Sequence, residues 1–211
     1  MERVEKLCAY LGECKVFADV GCDHGYCTQY MLENGLCGRA VISDISAKCL
    51  KKAEKLLEKY IACGRVTSVC CNGLEKVDRA ADLVLIAGMG GEEIAAILRN
   101  ASVPENFVLQ PMKNARAVRE FLLEAGAAIA VDEVFESGGK YYRVIKGSRS
   151  GEGREYTENQ LDYGLDFESE AARGYLYGEY QKKLSYLERP LSGEARAKIL
   201  AEAKILGGIL R

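Results

Sequence analysis

The fold is decided by the stretch Asp19-Val20-Gly21-Cys22-Asp23-His24-Gly25-Tyr26, in which an apolar run gives way to glycines. The apolar residues 16–20 predict a buried strand, and residues 26–34 predict a helix, so the glycines between them mark a strand-to-helix turn. In doubly wound sheets, a turn of this kind at the carboxyl end of the first strand is where nucleotides bind.

The spacing of this turn indicates what kind of nucleotide it accepts. It reads D-x-G-x-D-x-G rather than G-x-G-x-x-G, with Asp23 in the middle of the loop. A carboxylate at that place would repel a pyrophosphate, which argues against NAD and FAD. It suits a ligand that carries positive charge beside its nucleoside, as S-adenosyl-L-methionine does in its sulfonium and ammonium groups.

Each of the next three predicted strands also ends in a candidate ligand-binding motif. Asp44 ends the second strand, where an acidic side chain accepts hydrogen bonds from ribose hydroxyls, and Asn72-Gly73 follows the third at the level of an adenine. Ala87-Gly88-Met89-Gly90-Gly91 follows the fourth, where glycines allow close approach of backbone and ligand. Any one of these motifs has a purely structural interpretation, such as a tight turn or a helix cap. Their joint order favours a nucleoside-binding site.

The whole pattern predicts an α/β, Rossmann-like fold. Strands are predicted over 16–20, 39–44, 65–71, 82–87, 107–110, 127–135 and 140–146, and helices over 1–14, 26–34, 47–61, 92–100 and 115–125. We expect a mostly parallel seven-stranded sheet with helices on both faces. The glycines in Ser137-Gly138-Gly139 predict a C-terminal antiparallel edge hairpin.

A polar, glycine-rich segment around residues 148–153 divides the chain into two predicted parts, 1–150 and 151–211. The second part contains two predicted helices, 169–189 and 194–210, joined by Pro190-Leu191-Ser192-Gly193. Helices joined by so short a loop pack antiparallel, so we expect a small helical hairpin.

Composition excludes several classes of protein. A chain of 211 residues with a net charge of −2 is too weakly charged to bind nucleic acid through its overall charge. No apolar stretch approaches the length of a membrane span, and the charged N-terminus is unlike a signal peptide, so we expect a cytoplasmic protein. The 9 Cys form no C-x-x-C pair and there is 1 His, which predicts no metal site and cysteines that act as small buried hydrophobes.

The motifs together resemble those of the bacterial tRNA adenine-N1 methyltransferases that modify adenosine 22. The resemblance is close over residues 1–147, whereas the helical tail is similar only in its general type. The matching pieces are the first turn, Ile42-Ser43-Asp44-Ile45, Asn72-Gly73-Leu74-Glu75, Ile86-Ala87-Gly88-Met89-Gly90-Gly91, Leu109-Gln110-Pro111 and Gly139-Lys140-Tyr141-Tyr142. It implies a class I methyltransferase fold, S-adenosyl-L-methionine as cofactor, tRNA as partner and methyl transfer to adenine N1.

Candidate catalytic residues are Asp23, His24 and Tyr26. Asp23 either stabilises positive charge on the methylated base or binds the cofactor's ammonium group. His24 either touches a ligand or is a spacer in the loop, and Tyr26 either stacks on the target base or belongs to the core.

The candidate binding residues form two groups. The cofactor is assigned to Asp19, Gly21, Cys22, Asp23, His24, Asp44, Ile45, Asn72, Gly73, Ala87, Gly88 and Met89. The substrate is assigned to Gly90, Gln110, Pro111, Lys113, Arg116 and Arg119. The alternative for the basic residues is a solvated surface of mixed charge.

Other functions stay open on the sequence alone. The same fold could methylate another RNA, a protein or a small molecule, or bind RNA and cofactor without catalysis. The helical tail either grips tRNA, covers the core or dimerises, and the sequence leaves the oligomeric state undetermined.

Overall fold

A computed structural model describes residues 2–77 and 81–211. Seven strands form one sheet in the order β3-β2-β1-β4-β5-β7-β6. They are β1 (Cys14–Val20), β2 (Cys37–Asp44), β3 (Val66–Cys70), β4 (Leu83–Gly90), β5 (Asn106–Lys113), β6 (Ala128–Ser137) and β7 (Lys140–Ser148). Strands β1 to β5 pair in parallel, and β7 is antiparallel to both of its neighbours, β5 and β6. The predicted Rossmann-like sheet with a hairpin at its edge is therefore confirmed.

Helices cover both faces of this sheet. They are α1 (Glu2–Cys8), α2 (Tyr26–Glu33), α3 (Ala47–Leu56), α4 (Glu58–Ala62), α5 (Gly91–Asn100) and α6 (Ala115–Glu124), followed by α7 (Glu158–Tyr163), α8 (Glu170–Leu187) and α9 (Gly193–Ile209). One apolar cluster contains side chains of α1 to α4, and a second contains side chains of α5 and α6. Each face of a parallel sheet must be covered in this way because its strands are apolar on both sides.

Three helices differ from the sequence prediction. The helix predicted over 47–61 is interrupted at Leu57, whose side chain is fully buried and whose backbone leaves the helical conformation. The first helix ends at Cys8 rather than residue 14, and its predicted start at residue 1 lies outside the described residues. The short helix α7 was not predicted, because six residues carry too weak a periodic signal.

The two long C-terminal helices form the expected antiparallel hairpin. Arg173 near the start of α8 donates to the carbonyl of Leu210 after α9, and Arg196 near the start of α9 donates to the carbonyl of Leu187. Leu176 and Leu206 are buried, so the apolar sides of these helices face protein.

A buried ion pair holds the segment before these helices onto the sheet. Arg119 on α6 donates through Nε and Nη2 to the two carboxylate oxygens of Asp132 on β6, at 2.7 and 2.8 Å, and both side chains are essentially inaccessible. Arg119 also donates to the carbonyl of Leu161 in α7, and Tyr156 donates to Asp132. Burying two charges is favourable only when their hydrogen bonds are satisfied, as they are here.

Two further observations concern the described part of the chain, residues 2–77 and 81–211. None of its helices combines the length and apolarity that crossing a membrane requires. It also holds no cluster of three or more histidine, cysteine or acidic side chains arranged to bind a metal. Of the cysteines, Cys8, Cys22, Cys37 and Cys71 are buried, whereas Cys63 and Cys70 are exposed.

Candidate active site

The carboxyl ends of β1, β2 and β4 surround a cavity of about 360 Å³, which we call the nucleoside cavity. Its size is typical of a small-molecule site. All of the residues assigned to the cofactor from the sequence line it, and so does Tyr26. They lie together because β1 pairs in parallel with β2 and β4, which brings the ends of these strands to one edge of the sheet.

The turn after β1 has a backbone that only particular residues can adopt. Gly21 and Gly25 have φ values of 72° and 75°, and a Cβ on Gly21 would overlap the methyl group of Met89. Asp23 has φ of 45°, which is unfavourable for a residue with a side chain. Its N–H donates to the Asp44 carboxylate at 3.3 Å, which helps to hold this conformation.

Asp44 joins two loops at the mouth of the cavity. One carboxylate oxygen accepts from the backbone of Asp23, and the other accepts from the N–H of Ser46 at 2.8 Å. Ser46 in turn caps α3, its hydroxyl accepting from the N–H of Cys49. Asp44 is therefore not itself the cap of α3; it connects two loops and also lines the cavity.

Asp19 lies at the inner end of the cavity and is buried. Burial raises the pKa of Asp19 to about 6, and the nearby Asp44 charge acts in the same direction. The hydroxyl of Thr28 opposes the shift by donating to the carboxylate at 2.8 Å. This carboxyl group therefore changes charge close to neutral pH, and a cation bound beside it would favour the ionised form.

Asp23, His24 and Tyr26 form an exposed cluster at the opening of the cavity. His24 Nδ1 lies 2.8 Å from the Asp23 carboxylate, and Lys52 Nζ lies 3.3 Å from its other oxygen. Partial burial acts to raise the pKa of Asp23, but the hydrogen bonds with His24 and Lys52 outweigh it and hold the pKa below its usual value. The rings of His24 and Tyr26 stack, with centroids 5.5 Å apart.

The glycines at the end of β4 and the start of α5 have different structural roles. Gly88 has φ of 78° and no protein atom near its missing side chain, so it leaves the cavity open. Its N–H donates to the buried side chain of Gln110 at 3.2 Å. Gly91 instead packs against the backbone of Asn114, where a Cβ would overlap the carbonyl oxygen. The sequence assigned close approach to this run as a whole, but at Gly91 the approaching group is protein.

Residues outside the sequence motifs also line the nucleoside cavity. These residues are Arg3, Val4, Leu7, Cys27, Leu85, Glu93, Ile97 and Met112. Arg3 is the only lysine or arginine lining the cavity among the described residues, and its guanidinium lies 5.5 Å from the ring centroid of Tyr142. Helix α1 is fixed there by Lys6, which donates to the carbonyl of Glu136 in the hairpin. No local sequence signal indicates that α1 lines the cavity, because its position depends on contacts with a hairpin far away in the chain.

The substrate residues predicted from the sequence divide into two sets. Gln110, Pro111 and Lys113 line a second cavity of about 600 Å³ between the end of β5, the β6–β7 hairpin and α8, which we call the hairpin–α8 groove. Gly90 lies beside the Lys113 side chain. Met112 lines both the groove and the nucleoside cavity, so the two adjoin.

Arg116 and Arg119 do not lie in this groove. The prediction that Arg119 contacts substrate is wrong, because its side chain is fully buried and both sides of its guanidinium are occupied by Asp132 and the α7 backbone. Arg116 is engaged with Glu120, Glu158 and Asp162. The positive charges of these two arginines therefore attach α7 to α6. A count of charges along the sequence cannot distinguish this role from binding of a ligand at the surface.

The arrangement matches a known family of proteins. Residues 1–145 match the family described as "Methyltransferase domain", and the chain belongs to this family. It is 32% identical over 152 residues to a candidate tRNA methyltransferase of Mycoplasma pneumoniae, with 71% of each protein covered. It is also 28% identical over 169 residues to the tRNA (adenine(22)-N(1))-methyltransferase of Bacillus subtilis, covering 78% of this chain and 71% of that one. The resemblance inferred from the motifs is thus confirmed.

Solved structures extend the likeness to the helical tail. A candidate tRNA (m1A22) methyltransferase of Streptococcus pneumoniae, determined in complex with S-adenosyl-L-methionine, superposes with a TM-score of 0.90 at 21% identity. The match covers 100% of this chain and 99% of that one. The two proteins therefore share the fold of the sheet and of the C-terminal helices.

The raised pKa of Asp19 predicts a pH-dependent stability. Because the folded pKa of about 6 exceeds the unfolded value, the folded state binds the extra proton, and stability is lost as the pH rises toward and through 6. Relative to Asp19→Asn, the ligand-free protein should lose about 2 to 3 kcal/mol of unfolding free energy between about pH 4 and pH 7. Urea denaturation at each pH measures this difference. Parallel profiles for the two proteins would contradict the assignment.

Proposed function

We propose that this protein uses S-adenosyl-L-methionine to methylate N1 of adenosine 22 in tRNA. The observation that carries the proposal is the acidic nucleoside cavity, built from one motif after each of β1 to β4, in a chain related to a methyltransferase named for that reaction. We further propose that residues 1–150 form the methyltransferase domain, that residues 151–211 form a helical region, and that the protein acts on tRNA in the cytoplasm.

The charges of the nucleoside cavity fit this cofactor. Among the described residues, four carboxylates line it, those of Asp19, Asp23, Asp44 and Glu93, against one guanidinium, that of Arg3. The cofactor carries two positive groups and one carboxylate, so an acid-rich cavity with one cation complements it. Asp44 would accept from the ribose, Asn72 would meet the adenine, and Asp19 or Asp23 would meet the ammonium group. When bound, the cofactor supplies an electrophilic methyl group.

The reaction requires no general base from the protein. Adenine N1 is unprotonated at neutral pH and forms the new bond through its lone pair, so no proton has to be removed first. The product base is cationic, and a carboxylate beside it would stabilise the charge as it develops. Asp23 is suited to this because hydrogen bonds with His24 and Lys52 keep it ionised. Tyr26 is exposed at the same opening and presents a ring on which a base could stack.

Transfer of a methyl group to a defined RNA tests the proposal. The purified protein should convert an unmodified tRNA transcript to one containing 1-methyladenosine, detected by mass spectrometry of the digested RNA. A transcript with adenosine 22 replaced by guanosine should stay unmodified. Methylation of both transcripts would contradict the assignment of adenosine 22 as the target. If the protein binds the cofactor but methylates neither transcript, it acts on another substrate or is not a catalyst.

The role of Asp23 predicts a specific kinetic change. Asp23→Asn should lower kcat by more than about tenfold, with tRNA affinity nearly unchanged, because the charge is needed only as the transition state forms. Steady-state kinetics with each substrate varied measures this. A raised KM for the cofactor at unchanged kcat would assign Asp23 to the cofactor's ammonium group instead, and the absence of both changes would remove it from the site.

We expect the guanidinium of Arg3 to bind the carboxylate of the cofactor. Arg3→Met should weaken binding of S-adenosyl-L-homocysteine by about tenfold or more, because its carboxylate loses a charge-assisted partner. Binding of 5′-methylthioadenosine, which lacks the amino-acid group, should be unchanged. Calorimetry with both ligands makes the comparison, and Arg39→Met, an exposed arginine on β2, is the matched control. Equal losses for both ligands would indicate a general disturbance of α1 rather than this contact.

A further inference from the structure

The hairpin–α8 groove has a chemical character that the nucleoside cavity lacks. In the part of the chain that the structure describes, its polar walls carry the cations Lys113, Lys140, Arg143 and Lys182 and one acid, Glu179. That acid is already paired, since Lys182 Nζ lies 3.5 Å from its carboxylate. The groove is therefore a local concentration of positive charge on a protein whose net charge is −2.

Aromatic rings lie between these cations. Tyr141, Tyr142 and Tyr175 line the groove, and the Arg143 guanidinium lies 4.9 Å from the ring centroid of Tyr175. The Tyr141 side chain is exposed, with a relative accessibility of 41%. Cations that track a phosphate backbone, interleaved with rings on which bases stack, are the combination that binds single-stranded nucleic acid.

We propose that the hairpin–α8 groove receives the unpaired RNA strand that flanks the target adenosine. This inference rests on the proposed function and adds the path by which the substrate reaches the site. Met112 lies on the boundary between the groove and the nucleoside cavity, so an adenosine turned out of its stack can enter the cavity while its neighbours stay in the groove. A base inside a folded tRNA must be extruded before its N1 edge is accessible.

Two glycines one turn apart on α8 set the width of the groove. At Gly174 a side chain would overlap the hydroxyl group of Tyr141, so this glycine lets α8 approach the hairpin. At Gly178, which faces the groove, no atom lies within 4 Å of the position that a Cβ would occupy. Gly178 therefore leaves open the space that the RNA strand would fill.

Filling that space tests the proposal. Gly178→Leu places a bulky side chain in the groove from a Cβ position that meets no neighbouring side chain within 4 Å, and it replaces glycine by a better helix former. The matched control is Gly208→Leu on α9, which is equally exposed and also has no neighbour within 4 Å. We expect Gly178→Leu to lower kcat/KM for tRNA by about tenfold or more, with cofactor affinity unchanged, because obstruction of the path acts on the RNA alone. Gly208→Leu should stay within about twofold of the unchanged protein.

A charge variant gives a second test that does not alter the helix. Lys140→Gln should reduce the slope of log Kd against log salt concentration for tRNA by about one, as expected for the loss of one phosphate contact. The matched control is Lys198→Gln, an exposed lysine on α9 that does not line the groove, and it should leave the slope unchanged.

The outcomes separate this inference from the proposed function. If the unchanged protein methylates tRNA, and Gly178→Leu and Lys140→Gln behave as their controls do, the groove is not the RNA path and the inference is overturned while the function stands. If the unchanged protein and the controls bind cofactor but do not methylate tRNA, the proposed function fails. Should Gly178→Leu unfold, as judged by circular dichroism, Lys140→Gln decides.

Discussion

The parallel pairing of β1 with β2 on one side and with β4 on the other is the constraint on which the site depends. Val20, the last residue of β1, is in register with Ser43 of β2 and Ile86 of β4, and β4 continues from there to Gly90. The carboxyl ends of these parallel strands therefore lie at one edge of the sheet. The glycine turn, Asp44 and Gly88 are far apart in sequence and share one cavity for this reason.

Two acids that line the nucleoside cavity have different environments. Asp19 is buried at the inner end of the cavity and Asp23 lies at its opening, so the two carboxylates have opposite pKa shifts although only four positions separate them. Burial dominates at Asp19, and hydrogen bonding with His24 and Lys52 dominates at Asp23. The nucleoside cavity is thus lined both by an acid whose ionisation burial disfavours and by an acid whose ionisation its hydrogen bonds favour.

The buried Arg119–Asp132 pair connects this core to the C-terminal helices. It holds the backbone of α7, and Gly164 just beyond has no room for a side chain beside the two charges. Removing one partner of a buried pair leaves an uncompensated charge, so loss of either Arg119 or Asp132 should cost about 3 to 5 kcal/mol of stability. The position of α8 against the hairpin, and so the existence of the hairpin–α8 groove, depends on such contacts.

The sequence by itself determined which elements form and which residues meet at the strand ends. Local hydrophobic runs, glycine turns and the acids beside them predicted the fold class, the residues that line the nucleoside cavity and the helical hairpin. These signals are local, because a strand end and its turn occupy neighbouring residues. Only the tertiary structure decided that Arg119 is buried, that Arg3 lines the cavity and that Lys113 shares a groove with Lys182. Each of these depends on contacts between segments far apart in the chain, and a charged residue looks the same in sequence whether it meets solvent, a ligand or a buried partner.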